Sequence, residues 1–156
     1  MNIVVLAVGK AGQCAEAELC GRYMERAGRV GRQIGITDVT VREIADMTGP
    51  NHAAAEGEKM LAARRTGPLV VMDERGEGWT SVELACRLAG WQEAGTTNLT
   101  FAIGGADGHA DAVRSAADRV LSLGPMTLPH LLARAVLLEQ LYRAVTIRLG
   151  HPYHRA

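Results

Sequence analysis

Three stretches in the C-terminal third combine residue types that could do chemistry: FAIGGADG from residue 101, RVLSLGPMTLPH from residue 119, and the closing HPYHRA. The last brings together His151, Tyr153, His154 and Arg155. These can stack, hydrogen-bond or, for histidine, exchange a proton near neutral pH. Chain ends are usually polar and frayed, so this composition points to a tail docked at a site; the plainer alternative is a solvated basic tail. Gly104-Gly105-Ala106-Asp107-Gly108 has three glycines that let the backbone turn through positive φ and approach a ligand closely. Its amides could hold a nucleotide-like group, or it could be a plain tight turn. Its spacing is not the dinucleotide fingerprint, no Walker lysine is present, and Gly9-Lys10-Ala11-Gly12 fits neither pattern. In Leu123-Gly124-Pro125-Met126-Thr127-Leu128-Pro129-His130 two prolines stiffen the backbone and Thr127 can cap. Apolar side chains beside backbone amides suit the flat base and ribose of an adenosine-type ligand. An ordinary strand-to-helix connection is the alternative.

Positioning such loops requires a rigid frame, and the hydrophobic pattern supplies one. Apolar or β-rich runs at residues 3–9, 38–44, 69–73, 99–103 and 120–123 read as strands. They alternate with helical patterns at 11–32, 52–65, 81–94, 110–117 and 131–149. Ser81 is a candidate cap for the third helix, with Glu83 in its first turn. Continuous apolar strands separated by helices predict an α/β fold, a mostly parallel sheet covered on both faces. Ligands in such folds lie beyond the carboxyl ends of the strands. The loops expected there are 73–79, 104–108 and 124–127, with Glu74 and Arg75 read as surface charges. The last helix carries Leu131, Leu132, Ala135, Val136, Leu138, Leu141, Tyr142, Val145 and Leu149 around most of its circumference. It therefore needs burial on two sides; a second copy of the chain is the expected cover, and deep burial within one chain the alternative.

Composition bounds the function. At 156 residues the chain reads as one domain, residues 1–156, with 47% hydrophobic residues and a formal net charge of zero. Neutrality argues against bulk electrostatic binding of a long nucleic acid, though not against a local basic patch. The cations are mostly arginine, suited to bidentate phosphate contacts and stacking; genome composition is an equal source of that bias. MNIVVLAVG reads as a strand and not a signal peptide, and no apolar run approaches a membrane span. Cys14, Cys20 and Cys86 read as reduced thiols of a cytoplasmic protein. His151 and His154 lack a supporting Cys or carboxylate cluster, so no metal is expected.

Taken together, IGGADG, LSLGPMTLPH, LLEQLYRA and HPYHR, in this order and spacing, resemble the ribosomal RNA large subunit methyltransferase H family, small enzymes of the SPOUT class. VVLAVGK and GEKMLA extend the resemblance over essentially the whole chain. It implies a C-terminal trefoil knot, a homodimer, and S-adenosylmethionine as cofactor. It also implies methylation of N3 of a pseudouridine in large-subunit ribosomal RNA on the assembled ribosome. A SPOUT enzyme acting on another RNA such as transfer RNA, or a ribosome-binding module without catalysis, are the alternatives. By motif, the cofactor residues would be Met72 (a leucine in the family), Gly105, Leu123, Gly124, Pro125, Met126, Thr127 and Leu128. His130, Arg143, Tyr153 and Arg155 would face RNA. His154, Tyr153 and Arg155 would serve catalysis, with His154 the candidate base. Two departures stand out: GGADG replaces a loop that often carries proline after its glycines, and Gly124-Pro125 replaces a small polar or alanine pair.

Overall fold

The N-terminal apolar run becomes β1 (Asn2–Val8), and in the computed structural model, which describes residues 1–153, it lies inside a five-stranded sheet. The remaining strands are β2 (Asp38–Ile44), β3 (Leu69–Gly78), β4 (Asn98–Ile103) and β5 (Arg119–Ser122). The helices are α1 (Ala15–Gly31), α2 (His52–Ala63), α3 (Ser81–Glu93), α4 (Asp111–Ser115) and α5 (His130–Arg148). The strand order is β2-β1-β4-β3-β5 and every pairing between these strands is parallel. Side chains alternate across β1: Ile3, Val5 and Ala7 enter one core, Leu6 and Val8 the other. The first core also takes buried residues of α1, α3 and α5; the second takes Met60 of α2 and Val113 of α4. The sheet is thus covered on both faces, as a continuous apolar strand requires.

Three local differences from the sequence expectation have physical causes. α1 starts at Ala15, not residue 11, because Gly12 sits at φ +63° and Cys14 is extended, while Glu43 Oε1 takes the Ala11 amide at 2.7 Å. Thr80, not Ser81, caps α3. Its hydroxyl accepts from the Glu83 amide at 3.2 Å and its own amide donates to Glu83 Oε2 at 2.7 Å, a reciprocal capping box. Ser81 Oγ instead donates to Gln140 Oε1 of α5 at 2.6 Å. Residues 73–78, expected as loop, continue β3 past a register shift. Leu121 pairs with both Met72 and Glu77. Gly76 makes this fit, since a Cβ there would stand 2.7 Å from Leu121 backbone atoms.

The all-round apolar character of α5 has a partner within the chain. α1 and α3 both pack on it, and Leu137, Leu138, Leu141, Ala144 and Val145 are fully buried. The large hydrophobic side chains left exposed are Val82 of α3, Leu132 of α5 and Met126 of the loop before it.

Candidate functional site

The carboxyl ends of β4 and β5, with the middle of β3 just past its last pairing with β4 at Met72, open into a cleft of about 680 Å³. Three segments wall it: Met72 to Arg75 from β3, Ile103 to Gly108 after β4, and the β5–α5 connection running to His130 and Ala133. Of the cofactor residues expected from sequence, Met72, Gly105, Leu123, Gly124, Met126, Thr127 and Leu128 line this cleft; Pro125 lies within the same connection but does not form its wall. His130, expected on the RNA side, lines it as well. Glu74 and Arg75 are exposed charges as expected, yet they also stand on the cleft wall.

The glycine loop is held by backbone proximity. The Gly108 amide donates to the Gly105 carbonyl at 3.1 Å. A Cβ on Gly104 would lie 2.7 Å from the carbonyl carbon and oxygen of Gly108, while Gly108 itself needs φ +76°. Beneath the turn, a Cβ on Gly105 would meet Val8 at 3.2 Å and Glu56 Oε2 at 3.3 Å. Glu56 is buried, and its Oε1 accepts from the Met47 amide at 2.9 Å. At the far side of the cleft, Ser122 Oγ accepts from the Gly124 amide at 3.1 Å. That contact steadies the bend where Gly124 takes φ +115°.

Several groups that position the site carried no motif. Asp73 accepts from the Arg75 amide at 3.0 Å and from Arg114 at 3.4 Å. Arg114 also donates to Asp111 and to the His109 carbonyl, tying β3 to α4. Burial pushes His109 below the usual histidine range, against the attraction of Asp73, and its Nε2 has no hydrogen-bond partner among the described residues. Arg134 is 2% exposed and spans Glu43 Oε1 at 2.9 Å and the Gly9 carbonyl at 3.0 Å. It pins the β1–α1 connection beside His130, whose Nε2 lies 3.3 Å from where a Gly9 Cβ would be. Sequence reading passed over these residues because isolated charges on a helix or strand look like solvated surface. The one usable signal was Arg134 within the apolar face of α5.

Arg143 and Tyr153 lie elsewhere. Arg143 stands 13 residues beyond His130 on α5, about 20 Å along a helix rising 1.5 Å per residue. It donates to Glu139 at 2.6 and 3.0 Å and its guanidinium sits 5.0 Å above the Tyr153 ring. Tyr153 packs on Tyr142 with ring centroids 4.6 Å apart, and its hydroxyl donates to Glu139 at 2.9 Å. Burial, with hydrogen bonds to Tyr23 and Glu139, holds the phenol well above its usual range, so it stays neutral. His154 and Arg155 lie outside the described residues. Among those described, no group of three or more His, Cys, Asp or Glu side chains could hold a metal ion, and no helix is long and apolar enough to cross a membrane.

The arrangement is a small-molecule cleft of a size usual for such sites, with apolar surface from Met72, Leu123 and Leu128 beside the charged groups Asp73, Glu74, Arg75, Asp107 and Arg114. It can orient a flat ligand between a glycine turn and a stiff proline-bearing connection. Comparison with known proteins gives it a context. A family model described as "Predicted SPOUT methyltransferase" matches residues 1–154. The ribosomal RNA large subunit methyltransferase H of Chelativorans sp. (strain BNC1) is 44% identical to the chain, covering 99% of it and 91% of the relative. That of Paracoccus denitrificans (strain Pd 1222) is 42% identical, covering 99% of each. Among solved structures, a probable methylase family protein from Haemophilus influenzae Rd KW20 superposes with TM-score 0.51 at 13% identity, over 99% of this chain and 70% of that one. At that identity the likeness is one of fold.

Proposed function

The chain belongs to the SPOUT methyltransferase family, and on that premise we propose that it transfers a methyl group from S-adenosylmethionine to N3 of a pseudouridine in large-subunit ribosomal RNA. The observation that carries this reading is the cleft, where the motifs assigned to the cofactor converge at the strand ends. Met72, Leu123 and Leu128 offer apolar surface for an adenine. The carboxylates Asp73, Glu74 and Asp107 stand against the guanidinium groups of Arg75 and Arg114, a balance that suits a cationic ligand. When bound, S-adenosylmethionine supplies a methyl group already activated on its sulfonium. The protein's task is then chiefly to align acceptor and donor. The C-terminal trefoil knot and a single domain over residues 1–156 go with this reading.

N3 of a pseudouridine carries a proton that must leave at or before transfer, which calls for a base. His154 is the proposed base, since histidine titrates near neutral pH. Tyr153 is proposed to stack on an unpaired base, and Arg143 and Arg155 to hold phosphate; for Tyr153 and Arg143 this requires leaving their present contacts with Tyr142 and Glu139. A neutral protein binds naked RNA weakly because phosphate contacts dominate affinity, which fits recognition of an assembled ribosome in the cytoplasm.

One chain alone leaves Arg143 and Tyr153 distant from its own cleft. A homodimer that runs the two α5 helices in opposite directions would bring each tail to the other's cleft, and exposed Leu132 and Val82 offer apolar surface for the contact. Mixing a His154→Ala subunit with one disabled in the cofactor loop should then restore part of the activity that neither has alone. An inactive mixture, formed under conditions where mass spectrometry detects the heterodimer, would place both functions in one chain.

The substrate is tested by mass spectrometry of ribosomal RNA from a deletion strain. Loss of a methyl group from one pseudouridine, restored by the purified protein acting on deletion-strain ribosomes, is the expected result. An unchanged ribosomal pattern with a methyl group missing from transfer RNA would move the substrate there. No change in any RNA would remove the catalytic reading.

A further inference from the structure

The motif reading left the glycine loop's carboxylate, Asp107, without a role, and no motif pointed to His52. The structure joins them. His52 opens α2, 55 residues before Asp107, and its Nε2 lies 2.8 Å from Asp107 Oδ2. The other ring nitrogen, Nδ1, lies 2.7 Å from the Gly49 carbonyl oxygen. A carbonyl oxygen and a carboxylate both accept hydrogen bonds and donate none. A neutral imidazole carries one N–H and can satisfy only one of them; the imidazolium carries two and satisfies both. The ring is 29% exposed and Asp107 71%, so the pair stands at the surface, but Asp107 is part of the cleft wall.

We infer that His52 is a positioning residue for the cofactor loop. As an imidazolium bridging Gly49 and Asp107, it holds residues 104–108 against the start of α2, and cofactor affinity falls when the ring loses its proton. The inference rests on the reading of the cleft as a cofactor site. The charged groups facing the ring are Asp107 from the glycine loop and Glu56 from α2 itself. Both are acidic and both favour the charged ring. The bond to the Gly49 carbonyl, then that to Asp107, raises the ring above its ordinary 6.5. The sign follows. A raised histidine gives its full contribution below its unfolded value and loses it as pH climbs through the folded one. The clasp is therefore closed in mildly acidic solution and opens on the alkaline side of 6.5.

Two measurements on the full chain test this. Ring titration by NMR should place His52 above 6.5 and drop on Asp107→Asn; a midpoint at or below 6.5, or one indifferent to Asp107→Asn, overturns the inference. Calorimetry with S-adenosylhomocysteine from about pH 6 to about pH 9 should show affinity falling by about two- to fivefold, the scale of a surface ion pair. Any titration of the ligand itself is common to all variants, so the comparison isolates the protein. His52→Gln should lose that step, being unable to titrate. Asp107→Asn should lose it for a different reason: its amide can donate to the Nε2 of a neutral ring while Nδ1–H still donates to Gly49. Identical pH profiles in the natural chain and both variants overturn the inference while leaving the cofactor reading intact. No binding at any pH overturns the cofactor reading and this inference with it.

Discussion

Replacing Gly104 with alanine should lower affinity for S-adenosylhomocysteine by about 10- to 100-fold, the scale of the 1–3 kcal/mol cost of overpacking. Gly104 does not need positive φ, so alanine's backbone preferences are no obstacle. The obstacle is steric: the new Cβ would lie 2.7 Å from both the carbonyl carbon and the oxygen of Gly108. Those are backbone atoms, which no rotamer change can move aside, so the turn must open. Because that turn is one wall of the cleft, its opening in the free protein deforms the wall, and a ligand that needs the closed turn must restore the clash on binding. Gly108→Ala is the contrasting control. Its Cβ meets nothing within 4 Å, but its φ of +76° strains any L side chain, by about 1–2 kcal/mol. That strain is shared by the free and bound protein. Gly108→Ala should therefore lower the thermal midpoint and leave the dissociation constant nearly unchanged. Equal affinities for Gly104→Ala and the natural chain, measured by calorimetry, would show that the turn is not part of the binding wall.

The sheet was legible in the sequence because its strands are short, apolar and punctuated by glycine and proline. β1 reads as buried on both sides from MNIVVLAVG alone, and the parallel run of the strands then places the glycine and proline loops at the same end of the sheet. What could not be read were features decided by contacts between distant segments. The extension of β3 to Gly78 depends on Gly76 lying against Leu121, and nothing in DERGEG announces that. The all-round apolar α5 correctly signalled burial on two sides, but periodicity cannot say who does the covering; α1 and α3 do much of it. The GGADG departure drew attention to Asp107, but its partner His52 reads only as the start of a helix, and nothing in sequence links positions 55 residues apart. Met72, Gly105, Leu123, Gly124, Met126, Thr127 and Leu128 meet at one cleft, whereas Arg143 and Tyr153 stay at the other end of α5, a separation that only three-dimensional placement reveals.

Arg134→Met is expected to destabilise the protein by about 3 kcal/mol, in the range for breaking a buried ion pair. Methionine approximates the volume of the arginine stem, so packing loss is kept small and the polar contacts dominate. Three consequences follow from the geometry. The Gly9 carbonyl loses its donor at 3.0 Å, Glu43 loses its partner at 2.9 Å, and the β1–α1 connection is released from α5. An offset exists, since Arg134 Nε has no hydrogen-bond partner among the described residues and its burial is a standing cost. Glu43 is 36% exposed on its side chain, so water can partly replace the lost cation. The acid limb separates these effects. Glu43 is held below the usual carboxylate range first by the Ala11 amide and only then by Arg134. A depressed carboxylate contributes stability that is present above its unfolded value and lost as pH falls through the folded one. Arg134→Met should thus raise the acid-unfolding midpoint only in part, and Glu43→Gln should remove Glu43's share of the acid limb altogether. Denaturant titrations at neutral and acid pH distinguish the two. If Arg134→Met is as stable as the natural chain at neutral pH, the bridge between β1, β2 and α5 contributes nothing net, and the position of His130 beside Gly9 must be set by α5 packing alone.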